Sequence, residues 1–161
     1  MRMDLILELL DVPGQLVSVL EPIGGLGTNL VTVIHQRDMK NKRGMIPVQI
    51  TLEGERNNLN KVIEKFKELN VSILEIDGIV QKENISTILI GHIVDKDIRD
   101  TTDKINELKG VYVNSFDIKL DGEDKSSALI SIEADIGNKK LIFDRIKQIA
   151  LEKDLLMINE V

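Results

Sequence analysis

An α+β protein built from two tandem βαββαβ units is what this sequence predicts, on two observations. The hydrophobic pattern alternates between the period of a strand and that of a helix through six elements in the first half. The same order returns in the second half, displaced by roughly 84 residues.

In the first half, Met3 to Leu10 is a dense apolar run of strand length, interrupted by Pro13-Gly14. Leu16, Val19, Leu20 and Ile23 follow at helical spacing, and Gly24, Gly25 and Gly27 end that helix. Leu30 to Gln36 is rich in β-branched residues and reads as a strand. The charged Lys40 to Gly44 segment reads as a hairpin turn, with Ile46 to Leu52 as the returning strand. Pro47 lies near that strand's start, where a missing donor is tolerated. Leu59, Val62, Ile63, Phe66 and Leu69 restore the helical period, and Val71 to Ile76 completes the unit.

The second half predicts a strand over Thr87–Val94, a helix within Ile98–Leu108 and a strand over Tyr112–Leu120. A hairpin over Asp121–Ser126, a strand over Ala128–Ala134, a helix over Lys140–Leu151 and a strand over Leu155–Ile158 follow. Asn70-Val71-Ser72-Ile73 aligns with Asp154-Leu155-Leu156-Met157. The boundary is placed in Asp77–Asn84, giving units over 1–78 and 85–161. Right-handed crossovers give each unit the ferredoxin-like order, a four-stranded antiparallel sheet with both helices on one face. Units of about 75 residues bury little surface alone, so pairing of units and a homodimer are expected.

Composition narrows the functions. Of 161 residues, three are Phe and one is Tyr, so aliphatic side chains build the core and stacking platforms for bases are scarce. A formal net charge of -6 opposes direct nucleic-acid binding, and no segment is left over for a helix-turn-helix. With no cysteine, disulfides, thiolate nucleophiles and cysteine metal sites are excluded. The start of the chain lacks the apolar region of a signal peptide, and no run approaches membrane-spanning length. The expected compartment is the cytoplasm, with no membrane partner.

Catalytic motifs are missing as well. His35 and His92 sit on predicted strands without neighbours at metal spacing. Gly24-Gly25-Leu26-Gly27 runs from helix to strand, the reverse of a phosphate loop, and carries no lysine. Asp95, Asp97 and Asp100 read as a solvated cluster capping a helix. The expectation is a non-enzyme without cofactor or metal.

Two motifs stand apart from the packing pattern. A first strand ending in Asp11-Val12-Pro13-Gly14-Gln15-Leu16, then a helix, then Gly27-Thr28-Asn29 leading into the second strand, resembles the ACT domain. The likeness covers residues 3–77; residues 86–161 match in element order and not in motif. Two such units also resemble a small archaeal group regarded as predicted allosteric regulators of homoserine dehydrogenase. The resemblance implies an amino-acid effector, with threonine, isoleucine and methionine as the first candidates, bound where two units meet. It also implies a partner, homoserine dehydrogenase. Carried over by residue, the ligand site is Asp11, Pro13, Gly14, Gln15, Leu16, Thr28 and Asn29.

The residue chemistry points the same way. A helix starting at Pro13-Gly14 would present the N–H groups of Gly14, Gln15 and Leu16 to a carboxylate. Asp11 would accept from an ammonium, and the Asn29 amide both donates and accepts. Asp11 has a second role open to it, as an ordinary cap of the helix. The second unit replaces Pro-Gly with Asp95-Lys96-Asp97-Ile98-Arg99-Asp100, while Asn114 is read as the match to Asn29. That unit is therefore expected to be degenerate and structural. Lys40, Lys42 and Arg43 form a basic hairpin tip suited to an acidic partner surface, and Asp121-Gly122-Glu123-Asp124 forms an acidic one. Besides an amino-acid sensor, a ligand-free dimerisation scaffold and a transcription co-regulator acting through a protein partner remain open.

Overall fold

The computed structural model describes residues 1–122 and 125–159, which fall into two compact units, Met1–Gln81 and Lys82–Val161. The first unit contains β1 (Arg2–Leu10), α1 (Gln15–Gly25), β2 (Asn29–His35), a 3-10 turn (Arg37–Met39) and β3 (Met45–Glu53). It continues with α2 (Arg56–Glu68), β4 (Ser72–Ile76) and β5 (Ile79–Val80). Its sheet has the order β2-β3-β1-β4-β5, with antiparallel neighbours throughout.

Alternation decides which face is buried. Met3, Leu5, Leu7 and Leu9 of β1 are buried beside Ile46, Val48, Ile50 and Leu52 of β3. Val19 and Ile23 of α1 and Leu59, Val62 and Phe66 of α2 join the same core, at the spacing of one helical face. The intervening strand residues Asp4, Glu8, Gln49 and Thr51 take the open face.

The second unit repeats the plan with β6 (Lys82–Gly91), α3 (Ile98–Asn106), β7 (Val111–Leu120), β8 (Ser126–Asp135), α4 (Lys139–Glu152) and β9 (Leu156–Asn159). Its strand order is β7-β8-β6-β9, and its core joins Ile85, Leu89, Ile130 and Ile132 to Ile105, Ile142, Ile146 and Ile149. The α+β, ferredoxin-like reading therefore holds for both units. Among the described residues, no helix is long and apolar enough to cross a membrane.

The duplication extends to backbone detail. Asn70 and Asp154 both take φ 55° just past a helix. Each is followed by an N–H reaching back five residues, Val71 to the Phe66 carbonyl and Leu155 to the Ala150 carbonyl, both at 2.8 Å. Gly27 and Gly110 stand at φ 70° and 72° before the second strand of their units. Those strands, β2 and β7, each carry a bulge near the start, between Leu30 and Thr32 and between Val113 and Ser115.

Three expectations change. The segment 77–84, within which the two units divide, carries pairing of its own, because Asp77 (φ 51°) and Gly78 (φ 78°) make a two-residue turn that pairs Glu75 with Val80 and Ile76 with Ile79. The first sheet thus has a fifth short strand, and β6 begins at Lys82 instead of Thr87. The third change concerns Asn114. Asn29 faces Glu53, one step from the Leu52–Met3 pair; Tyr112 faces Glu133, one step from the Ile132–Ile85 pair. Tyr112 is therefore the counterpart of Asn29, and Asn114 is the bulged residue equivalent to Val31. Of the acidic tip, Glu123 and Asp124 lie outside the described residues.

Phe66 is fully buried. Phe66→Ala should cost about 3–5 kcal/mol in urea unfolding, the price of a large cavity. Gly110→Ala should also destabilise, since the added methyl meets the Asp135 carboxylate at a positive φ, while Gly122→Ala meets open space and pays for its φ alone.

Candidate functional site

Strands β1 and β2 both run antiparallel to β3, so their C-terminal ends lie at the same end of the first sheet. There the chain segment from Asp11 to Val17 and the residues after β2 enclose a concavity of about 320 Å³. Asp11, Val12, Pro13, Gly14, Leu16, Val17, His35 and Arg37 line it.

Asp11 is held by two cations. Arg37 donates from Nε at 3.1 Å and Nη2 at 3.3 Å, and Lys40 Nζ donates at 3.2 Å. The hydrogen bond from Lys40 and then that from Arg37 keep its carboxyl below the usual carboxylate range. Its own N–H donates to the Gly44 carbonyl at 3.1 Å. Asp11 does not cap α1; that reading is overturned, since Gly14 takes the position before the helix and no side chain caps it. The turn demands glycine there, because Gly14 stands at φ 84° with open space around it.

The start of α1 leaves donors open. Gln15 N–H reaches the Val12 carbonyl at 3.3 Å, whereas the N–H groups of Gly14, Leu16 and Val17 find no acceptor among the described residues. Its lining carries one cation, Arg37, and one carboxylate, Asp11, between apolar walls, while Lys40 is a further partner of Asp11.

Of the seven residues predicted, Asp11, Pro13, Gly14 and Leu16 come together here. Gln15 is adjacent as the first residue of α1, its carbonyl accepting from Ser18 Oγ at 2.8 Å. Thr28 and Asn29 lie elsewhere. Asn29 faces Glu53, which faces Arg2 on its other side, while Asp11 follows Leu10 at the far end of β1. Eight residue steps of ~3.3 Å separate the ends by about 26 Å. Thr28 is buried, donates to the Ile23 carbonyl at 2.7 Å and packs against Gly54. Within one unit the two motifs do not form one site.

Sequence reasoning missed Arg37 and set His35 aside for want of a neighbour at metal spacing. Strand direction was the available signal, since anything just after β2 must lie beside the end of β1. The basic tip is also more engaged than expected. Besides Lys40 on Asp11, Arg43 Nη2 reaches Glu8 at 3.4 Å, and Asn41 Nδ2 donates to the same Glu8 oxygen at 2.8 Å.

At the corresponding place in the second unit, His92, Val94, Asp95, Leu120, Gly122, Lys125 and Ser126 line a smaller concavity of about 210 Å³. The acidic loop there does cap its helix. Asp97 accepts from Asp100 N–H at 3.0 Å, and Asp100 pairs with Lys153 at 2.9 Å and Lys104 at 3.1 Å. Hydrogen bonds from Lys153 and then Lys104 depress the Asp100 pKa. Lys153 also donates to the Asp97 carbonyl and to Thr101 Oγ1. No group of three or more His, Asp or Glu placed to hold a metal occurs among the described residues.

Both units thus define a tandem ferredoxin-like protein with a recess after the first strand. Residues 83–159 match the family model of the ACT domain. The match falls on the unit without Pro-Gly. No curated protein matches the chain in sequence. Among solved structures, the small subunit of acetolactate synthase from Thermotoga maritima shares 11% identity at a TM-score of 0.40, covering 100% of this chain and 98% of that one. The regulatory subunit of aspartate kinase from Thermus thermophilus shares 10% at a TM-score of 0.37, over 91% of each chain. An unknown protein from Galdieria sulphuraria shares 9% at a TM-score of 0.41, over 99% and 98%. At that distance no residue role carries over.

A carboxyl with a depressed folded pKa adds stability above its unfolded value, and loses it as pH falls through the folded one. Asp11→Asn should therefore lower the urea midpoint near neutral pH and shrink the further loss below about pH 4. Equal midpoint shifts for variant and wild type at every pH would show that the Arg37–Asp11–Lys40 clasp carries no linkage.

Proposed function

We propose that this protein is an amino-acid-binding regulatory protein that acts without catalysis, binding its effector at the recess after β1. The observation that carries the reading is that Arg37 and two residues with open N–H groups, Leu16 and Val17, line one recess with apolar walls. A free amino acid's carboxylate would bond those donors, and Val12, Pro13 and Leu16 would contact its side chain. Asp11 is the acceptor for the ammonium once the carboxylate has drawn Arg37 away from it. Asn29, distant within its own unit, would join only when supplied by a second copy.

The effect on a partner follows from differential affinity. Effector that binds one packing of the units more tightly shifts the protein toward it, and a coupling of about 1–3 kcal/mol suffices for control. The resemblance makes homoserine dehydrogenase the enzyme to test and threonine the first effector, with isoleucine and methionine next. The second unit serves the assembly and binds no effector.

One observation favours a ligand-free scaffold instead: Asp11 is already neutralised by two cations of its own unit. Thermal unfolding of the purified chain against all twenty amino acids separates the readings, with calorimetry on any hit. A selective rise in Tm is expected, because a ligand bound only by the folded state must raise stability. Arg37→Ala and Asp11→Ala should each weaken that binding at least about tenfold, as loss of a charged hydrogen bond does. No shift with any amino acid, alone or with homoserine dehydrogenase added, would leave the scaffold.

A further inference from the structure

The open face of the second sheet differs from that of the first in a way its fold does not require. On the first unit, that face carries Asp4, Ile6, Glu8, Gln49 and Thr51 along its central pair, with Ile34 of β2 exposed beside Gln49. On the second, four large aliphatic side chains stand in solvent: Ile88 at 36%, Leu129 at 41%, Ile158 at 46% and Leu156 at 61% exposure.

Their register is specific. Asp117, Leu129, Ile88 and Ile158 form one row across β7, β8, β6 and β9, because each faces the next in the ladder. Two residues along, Lys119, Ser127, Ile90 and Leu156 form the neighbouring row on the same face. Between them runs the row Ile118, Ala128, Leu89 and Met157, which points to the opposite face.

We infer that this face is a contact between two copies of the chain, related by a two-fold axis lying across the strands at the level of Ala128 and Leu89. Such an axis lays each row of one copy on the other row of its partner. Asp117 then meets Lys119, Leu129 sits over the small Ser127, Ile88 over Ile90, and Ile158 over Leu156. The charges are complementary, and a large residue stands over a small one where both sheets need room. Among the described residues neither Asp117 nor Lys119 forms an ion pair within its own chain. Sheets pack face to face with strands nearly aligned, as this axis requires. A C2 contact must be self-complementary, and these rows are.

The axis lies two residues from one end of β6, β7 and β8, so about five residues of each strand face the partner. At ~3.3 Å per residue and ~4.8 Å per strand, four strands give a flat footprint of roughly 300 Å² before side-chain relief, the extent of a weak contact. The contact is independent of the effector reading.

Sedimentation of the full chain across a wide concentration range tests it, with circular dichroism confirming that each variant folds. The wild type should dimerise, and Leu129→Glu should raise the dimer dissociation constant by at least about a hundredfold. Asp117→Lys and Lys119→Asp, each placing like charges together at two symmetric points, should each raise it about tenfold or more. The double variant D117K/K119D restores complementarity and should return the constant to near that of the wild type. A monomeric wild type, or a dimer untouched by Leu129→Glu, overturns the proposal. Failure of the double variant to recover overturns the two-fold register.

Discussion

Each unit hangs on a central antiparallel pair, β1 with β3 in the first and β6 with β8 in the second. Every second residue of those strands is inserted beneath two helices, and in the first unit a slip of one residue would bring Asp4, Glu8, Gln49 and Thr51 into the aliphatic core. Leu5, Leu7, Val48 and Ile50 on one face, with Asp4, Glu8, Gln49 and Thr51 on the other, leave a single low-energy register. That register determines which strand ends are neighbours. The Arg37–Asp11 clasp exists because β1 and β2 share a partner strand, although twenty-six positions separate the two residues.

What the sequence made legible followed from short-range periodicity. Runs such as MDLILELL and ALISIEA have the length and content of strands, and Leu59, Val62 and Phe66 the spacing of a helix. The two residues at φ 55° were approached through the alignment of Asn70 with Asp154. The Asp77-Gly78 turn was equally readable, since Asp-Gly between apolar residues is a strong hairpin signal.

The recess was less legible because it is made by residues with no local pattern. Arg37 sits in a polar stretch after β2, and only strand direction brings it to Asp11. Asp11 itself looked like a cap or an ammonium acceptor, and its engagement by Lys40 depends on how the hairpin folds back. Thr28 was chosen by motif, but its hydroxyl is used inside its own unit. Asn114 lies two residues past Tyr112, which holds the place of Asn29 in the ladder, and only the strand pairing reveals that offset.

The bulge near the start of β2 and of β7 has a consequence for how such a protein can change in length. Elsewhere in a strand, loss of one residue inverts every side chain beyond it. At Val31 or Asn114 the ladder already holds one residue too many. Deleting either would straighten β2 or β7 and leave the downstream faces as they are. These two positions, like Leu74 at the bulge of β4 against β1, are places within the sheets where a lineage can shorten the chain by a single codon and keep its architecture.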